Sequence, residues 1–206
     1  SALVLILAAQ SGELARRRFP EFTALLLTIA IGISLMASTR DLLMAYLAME
    51  MVSLSSYVLT GFKRNDLLSH EAALKYVIYG GVASGVMVFG ISLLYGLTGS
   101  TAFTAVGAAL GQGGPVLVAG KSGMLATVIA LIMVLTGLSF KIAAVPFHMW
   151  SPDVYQGAPT PFTGFLSVAP KAAGFALLLR FLMALLPQSA PELKEPMMIV
   201  IGLISA

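Results

Sequence analysis

The sequence predicts an all-α protein, a polytopic bundle of transmembrane helices. Of its 206 residues, 58% are hydrophobic and only 10% are charged, whereas a soluble domain carries roughly 25% charged residues. The mean hydropathy is +0.94. A spanning helix needs ~20 apolar residues, and several runs of the chain reach that length. A soluble globular fold and a disordered chain are therefore both excluded.

Five stretches of the chain are long and apolar enough to cross a bilayer. They cover about 20–38, 41–61, 70–97, 122–157 and 162–186. The fourth is expected to break near Pro146, because proline lacks a backbone donor and clashes with the preceding helical turn. The Gly-rich residues 98–121 predict a loop with a short surface helix at 101–110. We expect a single transmembrane domain over residues 1–206.

Both ends of the chain lie inside apolar runs. Partial helices are expected at 1–10 and 196–206, so we expect the chain to be a segment of a larger protein. Basic loop residues report the orientation, because they stay on the cytoplasmic side of a membrane. The side predicted to be cytoplasmic carries Arg16, Arg17, Arg18, Lys63 and Arg64, and the opposite side carries Arg40, Lys121 and Lys194.

The composition also excludes several kinds of site. The chain has no cysteine, which excludes disulfides, thiolate metal sites and cysteine-bound iron–sulfur clusters. Its two histidines, His70 and His148, lie in different segments, which disfavours a bis-histidine haem. The net charge is only +3, and a nucleic-acid-binding protein would cluster basic residues on one face. We expect no metal or cofactor on this chain, no nucleic acid, and the lipid bilayer as a partner.

Three charged residues lie where a membrane protein rarely places them. Glu50 and Lys171 each stand ~14 Å into a spanning stretch, at 1.5 Å per residue, and Lys141 interrupts the apolar fourth stretch. Each such charge costs about 2.5–3.5 kcal/mol at the bilayer centre. A structural ion pair or a lysine that reaches back to the surface would be the alternative. We favour a proton or ion relay.

Polar residues accompany Glu50 on its own helix. Tyr46, Ser53 and Tyr57 stand at i−4, i+3 and i+7 from it, and these offsets define one helical face. A polar face of this kind is expected inside a bundle, where water and partner side chains reach it.

The predicted break gives Lys141 a particular setting. A helix that ends near Pro146 directs free carbonyls and partial negative charge toward Lys141. Broken helices at membrane depth are tolerated where they line a wet cavity enclosed by protein. Pro170, directly before Lys171, opens a second helix locally. His148 is a possible relay residue, because two helical turns would separate it from Lys141, although a lone histidine near an interface is more often structural.

Lys75 admits two interpretations. Glu71 stands at i−4, so an ordinary surface ion pair accounts for it. Tyr79, one turn deeper, instead extends a polar path inward, which would make Lys75 a further relay residue. Nearby, Gly81 and Gly85 form a GxxxG spacing that favours helix packing rather than a ligand site.

Four runs of the sequence carry a family resemblance. They are DLLMAYLAMEMVSLSSYVL (41–59), EAALKYVIYGGVASG (71–85), GLSFKIAAVPFHMWSPDVYQGAPTPFTGFLS (137–167) and SVAPKAAGFALLLR (167–180). They closely resemble the antiporter-like subunit N family of the proton-translocating NADH:quinone oxidoreductase, respiratory complex I. The third run is a strong signature by itself. The same fold occurs in subunits of Mrp-type sodium/proton antiporters.

The resemblance implies a protein of about fourteen transmembrane helices with two inverted five-helix repeats, of which this chain would hold the first, with its broken helix. It implies that Glu50, Lys75, Lys141 and Lys171 are the buried relay residues of the fifth to eighth helices. It also implies a multi-pass protein of the bacterial inner membrane, with the other membrane-arm subunits of complex I as partners. NADH, FMN, iron–sulfur clusters and quinone would bind in other subunits.

The mechanism expected from these residues begins with an ion pair between Glu50 and Lys141. The pair would keep Lys141 protonated, and its opening would pass the proton by water and Lys171 toward the next half-channel. This chain would then be a non-redox, proton-translocating subunit of the oxidoreductase. The alternatives are a subunit of an Mrp-type cation/proton antiporter, and a scaffold whose buried charges only set helix register.

Overall fold

A computed structural model describes residues 2–12, 18–63, 65–112, 114–185, 195, 198, 199 and 202, without the side chains of 114–121. Over these residues the chain forms eight helices longer than one turn and no β-strand, which confirms the all-α bundle. The helices are α1 Ala2–Gln10, α2 Phe19–Ser38, α3 Leu42–Thr60, α4 Leu67–Thr98, α5 Phe103–Gly111, α6 Gly114–Ile142, α7 Ser151–Gly157 and α8 Thr160–Leu185.

Five of these helices are long and apolar enough to cross a membrane: α2, α3, α4, α6 over Ser122–Ile142, and α8. They lie at the five stretches marked in the sequence, and α4 begins three residues earlier than expected. It begins at Leu67 rather than at 70, because the Asp66 carboxylate accepts a hydrogen bond from the Leu68 backbone at 3.0 Å. This cap satisfies one of the free donors of the first turn.

The Gly-rich stretch 98–121 differs from its prediction. The expected surface helix is present as α5, but Phe103, Val106 and Leu110 bury one of its faces. The predicted loop is wrong for residues 114–121, because α6 already begins at Gly114. Pro115 suits the first helical turn, where its missing donor has no partner to lose.

Helix α6 breaks before Pro146, near the predicted position. Helix α6 ends at Ile142, turns follow over 143–150, and α7 resumes at Ser151. In a continuous helix the Ile142 carbonyl would accept from residue 146, and Pro146 has no N–H to donate. The chain therefore leaves the helix one turn before the proline.

Helix α4 is the centre of the described bundle. It packs against α3, α6 and α7, while α8 packs against α2, α5 and α6. At one end the turn between α2 and α3 is joined to the start of α5. The Leu42 backbone donates to the Thr101 carbonyl at 2.8 Å, and the Thr101 hydroxyl donates to Asp41 at 2.5 Å.

Several sequence predictions fall outside the described residues. They concern Arg16, Arg17, Arg64, Lys194 and most of the partial helix 196–206, together with the side chain of Lys121. The orientation in the membrane stays a prediction from the loop charges.

Close helix contact uses other glycines than the GxxxG pair. Gly81 and Gly85 are exposed, and a Cβ added at either would meet no atom within 4 Å. At Gly90 an added Cβ would lie 2.7 Å from Met133 Cβ and 2.9 Å from the Ala130 carbonyl oxygen. Gly90 therefore brings the backbones of α4 and α6 together.

We expect Gly90→Ala to lower the thermal stability of the assembled protein. The overpacking costs about 1–3 kcal/mol and outweighs the gain of about 1 kcal/mol in helix propensity. Gly96→Ala is the matched control on the same helix, because nothing lies within 4 Å of its added Cβ. Thermal denaturation of both variants in detergent compares them, and equal midpoints would contradict the close packing at Gly90.

Candidate functional site

Glu50 lies on the face of α3 that points into the bundle, as its polar neighbours predicted. Its Oε1 accepts a hydrogen bond from the Ser84 hydroxyl of α4 at 2.5 Å. Ser84 Oγ also lies 3.2 Å from the Tyr46 hydroxyl. The carboxylate is half-buried and is held by a hydroxyl of the neighbouring helix.

Lys141 is buried, with 3% of its surface exposed. Its ammonium donates to Ser53 Oγ at 3.0 Å, and the Ser53 hydroxyl donates to the Met49 carbonyl at 2.7 Å. Among the described residues no ion pair joins Lys141 to Glu50, so the direct pair expected from the sequence is not formed in this structure. The lysine instead contacts α3 one turn beyond Glu50.

The end of α6 fixes the position of Lys141. Ala143 adopts a left-handed conformation with φ of 57°, and its backbone donates to the Phe140 carbonyl at 3.1 Å. The next residue, Ala144, donates to the Ser139 carbonyl at 2.9 Å. This pair of bonds is a Schellman motif. Lys141 is consequently the last residue with full helical geometry before the cap.

A tryptophan completes this helix end. The indole N–H of Trp150 donates to the Phe140 carbonyl at 3.2 Å. Trp150 also stacks on Tyr76 of α4, with ring centroids 4.5 Å apart. Tyr76 in turn meets Tyr57 of α3 edge-on at 4.7 Å. A buried aromatic cluster therefore packs beside the end of α6.

Lys171 lies on α8, half-buried, with its ammonium 5.3 Å from the centroid of the Tyr155 ring. The Tyr155 hydroxyl is buried and has no hydrogen-bond partner among the described residues. One turn further along α8, Gly174 admits the α6 helix: an added Cβ would lie 2.7 Å from Ile142 Cγ2 and 3.5 Å from Lys141 Cγ. The stem of Lys141 thus packs next to the helix that carries Lys171.

Lys75 makes two ion pairs near the start of α4. One is the i,i+4 pair with Glu71 at 2.7 Å, which one interpretation of the sequence anticipated. The other joins it to Asp153 of α7 at 2.8 Å. A cavity of about 80 Å³ adjoins these residues and is also lined by Gln156 and Gly157. Lys75 therefore connects α4 to α7 in addition to its surface pair.

His148 lies apart from the buried residues. Its side chain is exposed, and it belongs to the turns of 143–150 rather than to a continuation of α6. The two helical turns expected between it and Lys141 do not exist, because the helix ends at Ile142. A relay role for His148 stays a prediction.

The sequence analysis missed three contributors to the site. Ser84 stands at no regular spacing from Lys75 or Tyr79, and its approach to Glu50 depends on how α3 and α4 pack. Asp153 and Tyr155 lie in a proline-rich stretch of the sequence, where neither was assigned a role. The only sequence feature that could have pointed to Asp153 is its charge, since charged residues are rare in this chain. Among the described residues no cluster of histidine, aspartate or glutamate could hold a metal ion.

Residues 39–206 match the family described as NADH:quinone oxidoreductase/Mrp antiporter, transmembrane. The chain belongs to this family. The NADH-quinone oxidoreductase subunit N of Anaeromyxobacter sp. (strain Fw109-5) is 55% identical over 194 residues, which cover 92% of this chain and 37% of that protein. Its counterpart in Chlorobium chlorochromatii (strain CaD3) is 44% identical over 188 residues, 91% of this chain and 35% of that protein.

Two solved structures extend the comparison. A chain of respiratory complex I from Thermus thermophilus with bound aureothin is 40% identical, with a TM-score of 0.69, over 86% of this chain and 37% of that one. A chain of the Mrp complex from Dietzia sp. DQ12-45-1b is 25% identical, with a TM-score of 0.64, over 77% and 28%.

These relatives confirm the resemblance to subunit N. The chain spans about a third of the length of the curated relatives it matches. Its apolar helices, its transmembrane family and its bacterial relatives make it a multi-pass inner-membrane protein.

Proposed function

We propose that this chain is part of the antiporter-like subunit N of a proton-translocating NADH:quinone oxidoreductase. The observation that carries the proposal is a half-buried carboxylate and a buried ammonium at one face of α3. Glu50 is held by Ser84, and Lys141 reaches Ser53 on the same face. Charged groups inside a membrane-spanning bundle are costly in free energy, and they occur mainly where they are paired or take part in ion or proton transport.

The arrangement supports a lysine that exchanges partners. Ser53 and Glu50 are separated by three residues, about 4.5 Å along the helix axis. In this proposal a rotamer change of the Lys141 side chain moves its ammonium between the serine and the carboxylate. Contact with Glu50 would hold the proton on Lys141. Contact with Ser53, a neutral hydroxyl, would leave the lysine able to release it.

Lys171 and Lys75 would continue the relay on the two sides of Lys141. The Lys141 stem packs at Gly174, one turn from Lys171, which gives a short route from α6 to α8. Lys75 stands at the end of α4 nearer the predicted cytoplasmic side. In this proposal NADH, FMN, iron–sulfur clusters and quinone bind in other subunits, and the other membrane-arm subunits are the partners of this chain.

A subunit of an Mrp-type cation/proton antiporter is the second candidate. The greater identity to subunit N than to the Mrp relative favours the oxidoreductase. Purification of the native complex through a tag on this subunit tests the choice. NADH dehydrogenase activity that copurifies in constant ratio supports the proposal. A complex that moves cations without NADH dehydrogenase activity would overturn it.

The scaffold interpretation is tested by removing both buried charges together. We expect the double variant Glu50→Gln/Lys141→Met to assemble but to pump fewer protons per electron. Glutamine keeps the shape of Glu50 and its ability to hydrogen-bond, and methionine keeps the approximate volume of Lys141, while both relay charges are lost. Proton uptake by the whole enzyme in proteoliposomes, driven by NADH, is the measurement. Undiminished pumping would show that the charges serve only the packing.

A further inference from the structure

The segment 150–157, which comprises Trp150 and helix α7, contacts the surroundings of three of the four relay residues. It follows the break after α6 and leads into α8. It packs against α4, the helix that carries Lys75. The segment thus follows the helix that holds Lys141, precedes the helix that holds Lys171, and packs against the helix that holds Lys75.

Its first contact is with the end of α6. Trp150 donates from its indole nitrogen to the Phe140 carbonyl, the residue directly before Lys141. Trp150 is buried and stacked on Tyr76, so its ring is fixed to α4. The last turn of α6 is thereby held at a defined place relative to α4.

The second contact is the ion pair between Asp153 and Lys75 at 2.8 Å. Glu71 lies on the same helix as Lys75 and cannot connect it to another element. Asp153 is the carboxylate that ties the lysine to α7. The position of Lys75 therefore depends on the position of this segment.

The third contact is made by Tyr155, whose ring faces the ammonium of Lys171 at 5.3 Å. A cation within about 6 Å of an aromatic centroid is attracted to the ring face. The ring also meets Trp150 edge-on at 6.2 Å. Tyr155, which faces Lys171, and Trp150, which binds the end of α6, are therefore in direct contact within one short segment.

We propose that segment 150–157 positions the relay lysines, with Asp153 acting on Lys75, Tyr155 on Lys171 and Trp150 on the helix end that carries Lys141. The inference rests on the proposed function. Because the three contacts come from one segment, displacement of that segment alters all three lysines together. These residues are positioning residues, since each acts through a lysine or its helix.

The test compares Tyr155→Leu with Tyr155→Phe in the reconstituted whole enzyme. Leucine removes the aromatic face, and we expect about a two- to tenfold lower rate of proton pumping at an unchanged rate of NADH oxidation by an artificial acceptor. Phenylalanine keeps the face and removes only a hydroxyl that has no partner among the described residues. We expect it to pump normally.

A second pair of variants addresses Lys75 in the same assay. Asp153→Asn should lower pumping, whereas Asp153→Glu, which keeps the charge, should restore most of it. Glu71→Gln removes only the partner on the same helix and should have a smaller effect. Asp153 is half-exposed, so these variants are informative even where Tyr155→Leu does not assemble.

Lysine variants separate failure of this inference from failure of the proposed function. Tyr155→Leu should add no further loss in the Lys171→Ala enzyme, because both changes affect one contact. Normal pumping by Tyr155→Leu and Asp153→Asn, with reduced pumping by Lys171→Ala, would overturn the positioning role alone. Equal losses in Tyr155→Leu and Tyr155→Phe would also overturn it. Normal pumping by Lys171→Ala would overturn the relay and, with it, the positioning role.

Discussion

Replacement of Lys141 by methionine is expected to stop proton transfer through this chain and to leave its fold intact. The ammonium is buried with one hydrogen-bond acceptor, Ser53 Oγ, among the described residues, although a lysine has three protons to donate. Burial of a charge so sparsely paired is costly. Methionine keeps a stem of similar length against Gly174 and removes that cost, so stability should be equal or greater.

The expected loss is kinetic. A positioned acid–base group contributes about 10²–10⁴-fold to a proton transfer, so the share of pumping that passes through this chain should disappear. Proton uptake per electron in proteoliposomes measures it, and thermal denaturation of the purified enzyme measures stability.

Lys141→Ala provides the comparison. It should pump as poorly as the methionine variant, but it also leaves a cavity, which costs about 2–5 kcal/mol for a side chain of this size. If the methionine variant pumps normally, Lys141 is not a relay residue. If it unfolds, the buried charge is structural.

Three of the four relay residues could be nominated from their charge alone, because a charged residue is unusual within a membrane-spanning stretch. In an apolar span a charged side chain is expensive, so Glu50, Lys141 and Lys171 are visible without any structure. The charge of Lys75 costs less free energy because it lies near a helix end, so the family resemblance was needed to identify Lys75 as a relay residue. Because charged residues are costly in the bilayer, the five spans are long apolar runs, and hydropathy was sufficient to locate them.

The partners of these residues were not predictable in the same way. Ser84 and Ser53 are small hydroxyls that occur anywhere in membrane helices, and only the crossing of α3, α4 and α6 brings them to Glu50 and Lys141. Asp153 reaches Lys75 across many residues of sequence. Contacts of this kind depend on tertiary packing, which helical periodicity does not encode.

The break in α6 was half predictable. Pro146 predicts that a helix ends before it. The last helical residue is Ile142, and the next residue, Ala143, adopts the left-handed conformation. That position is most often glycine, and an alanine gives no signal of it. The error carried over to His148, whose expected two-turn spacing from Lys141 required a helix that continues.

We expect Gly174→Val to lower pumping strongly although it removes no charge. The added side chain would overlap Ile142 and press on the stem of Lys141, since even a Cβ would lie 2.7 Å from Ile142 Cγ2. Overpacking of this kind costs about 1–3 kcal/mol and shifts the end of α6 relative to α8. A displacement of about 1 Å can slow a reaction about 10²-fold, so the transfer between Lys141 and Lys171 should fail while both lysines remain.

Gly164→Val is the matched control, because it introduces the same residue into the same helix where an added Cβ meets nothing within 4 Å. Both variants gain similar small amounts of helix propensity, because glycine is a poorer helix former than valine, so a difference between them reports the contact with α6. Proton uptake per electron and assembly of the enzyme are measured together. Equal pumping by the two variants would mean that the close approach of Lys141 to α8 has no part in the transfer. The relay would then have to leave α6 by another route.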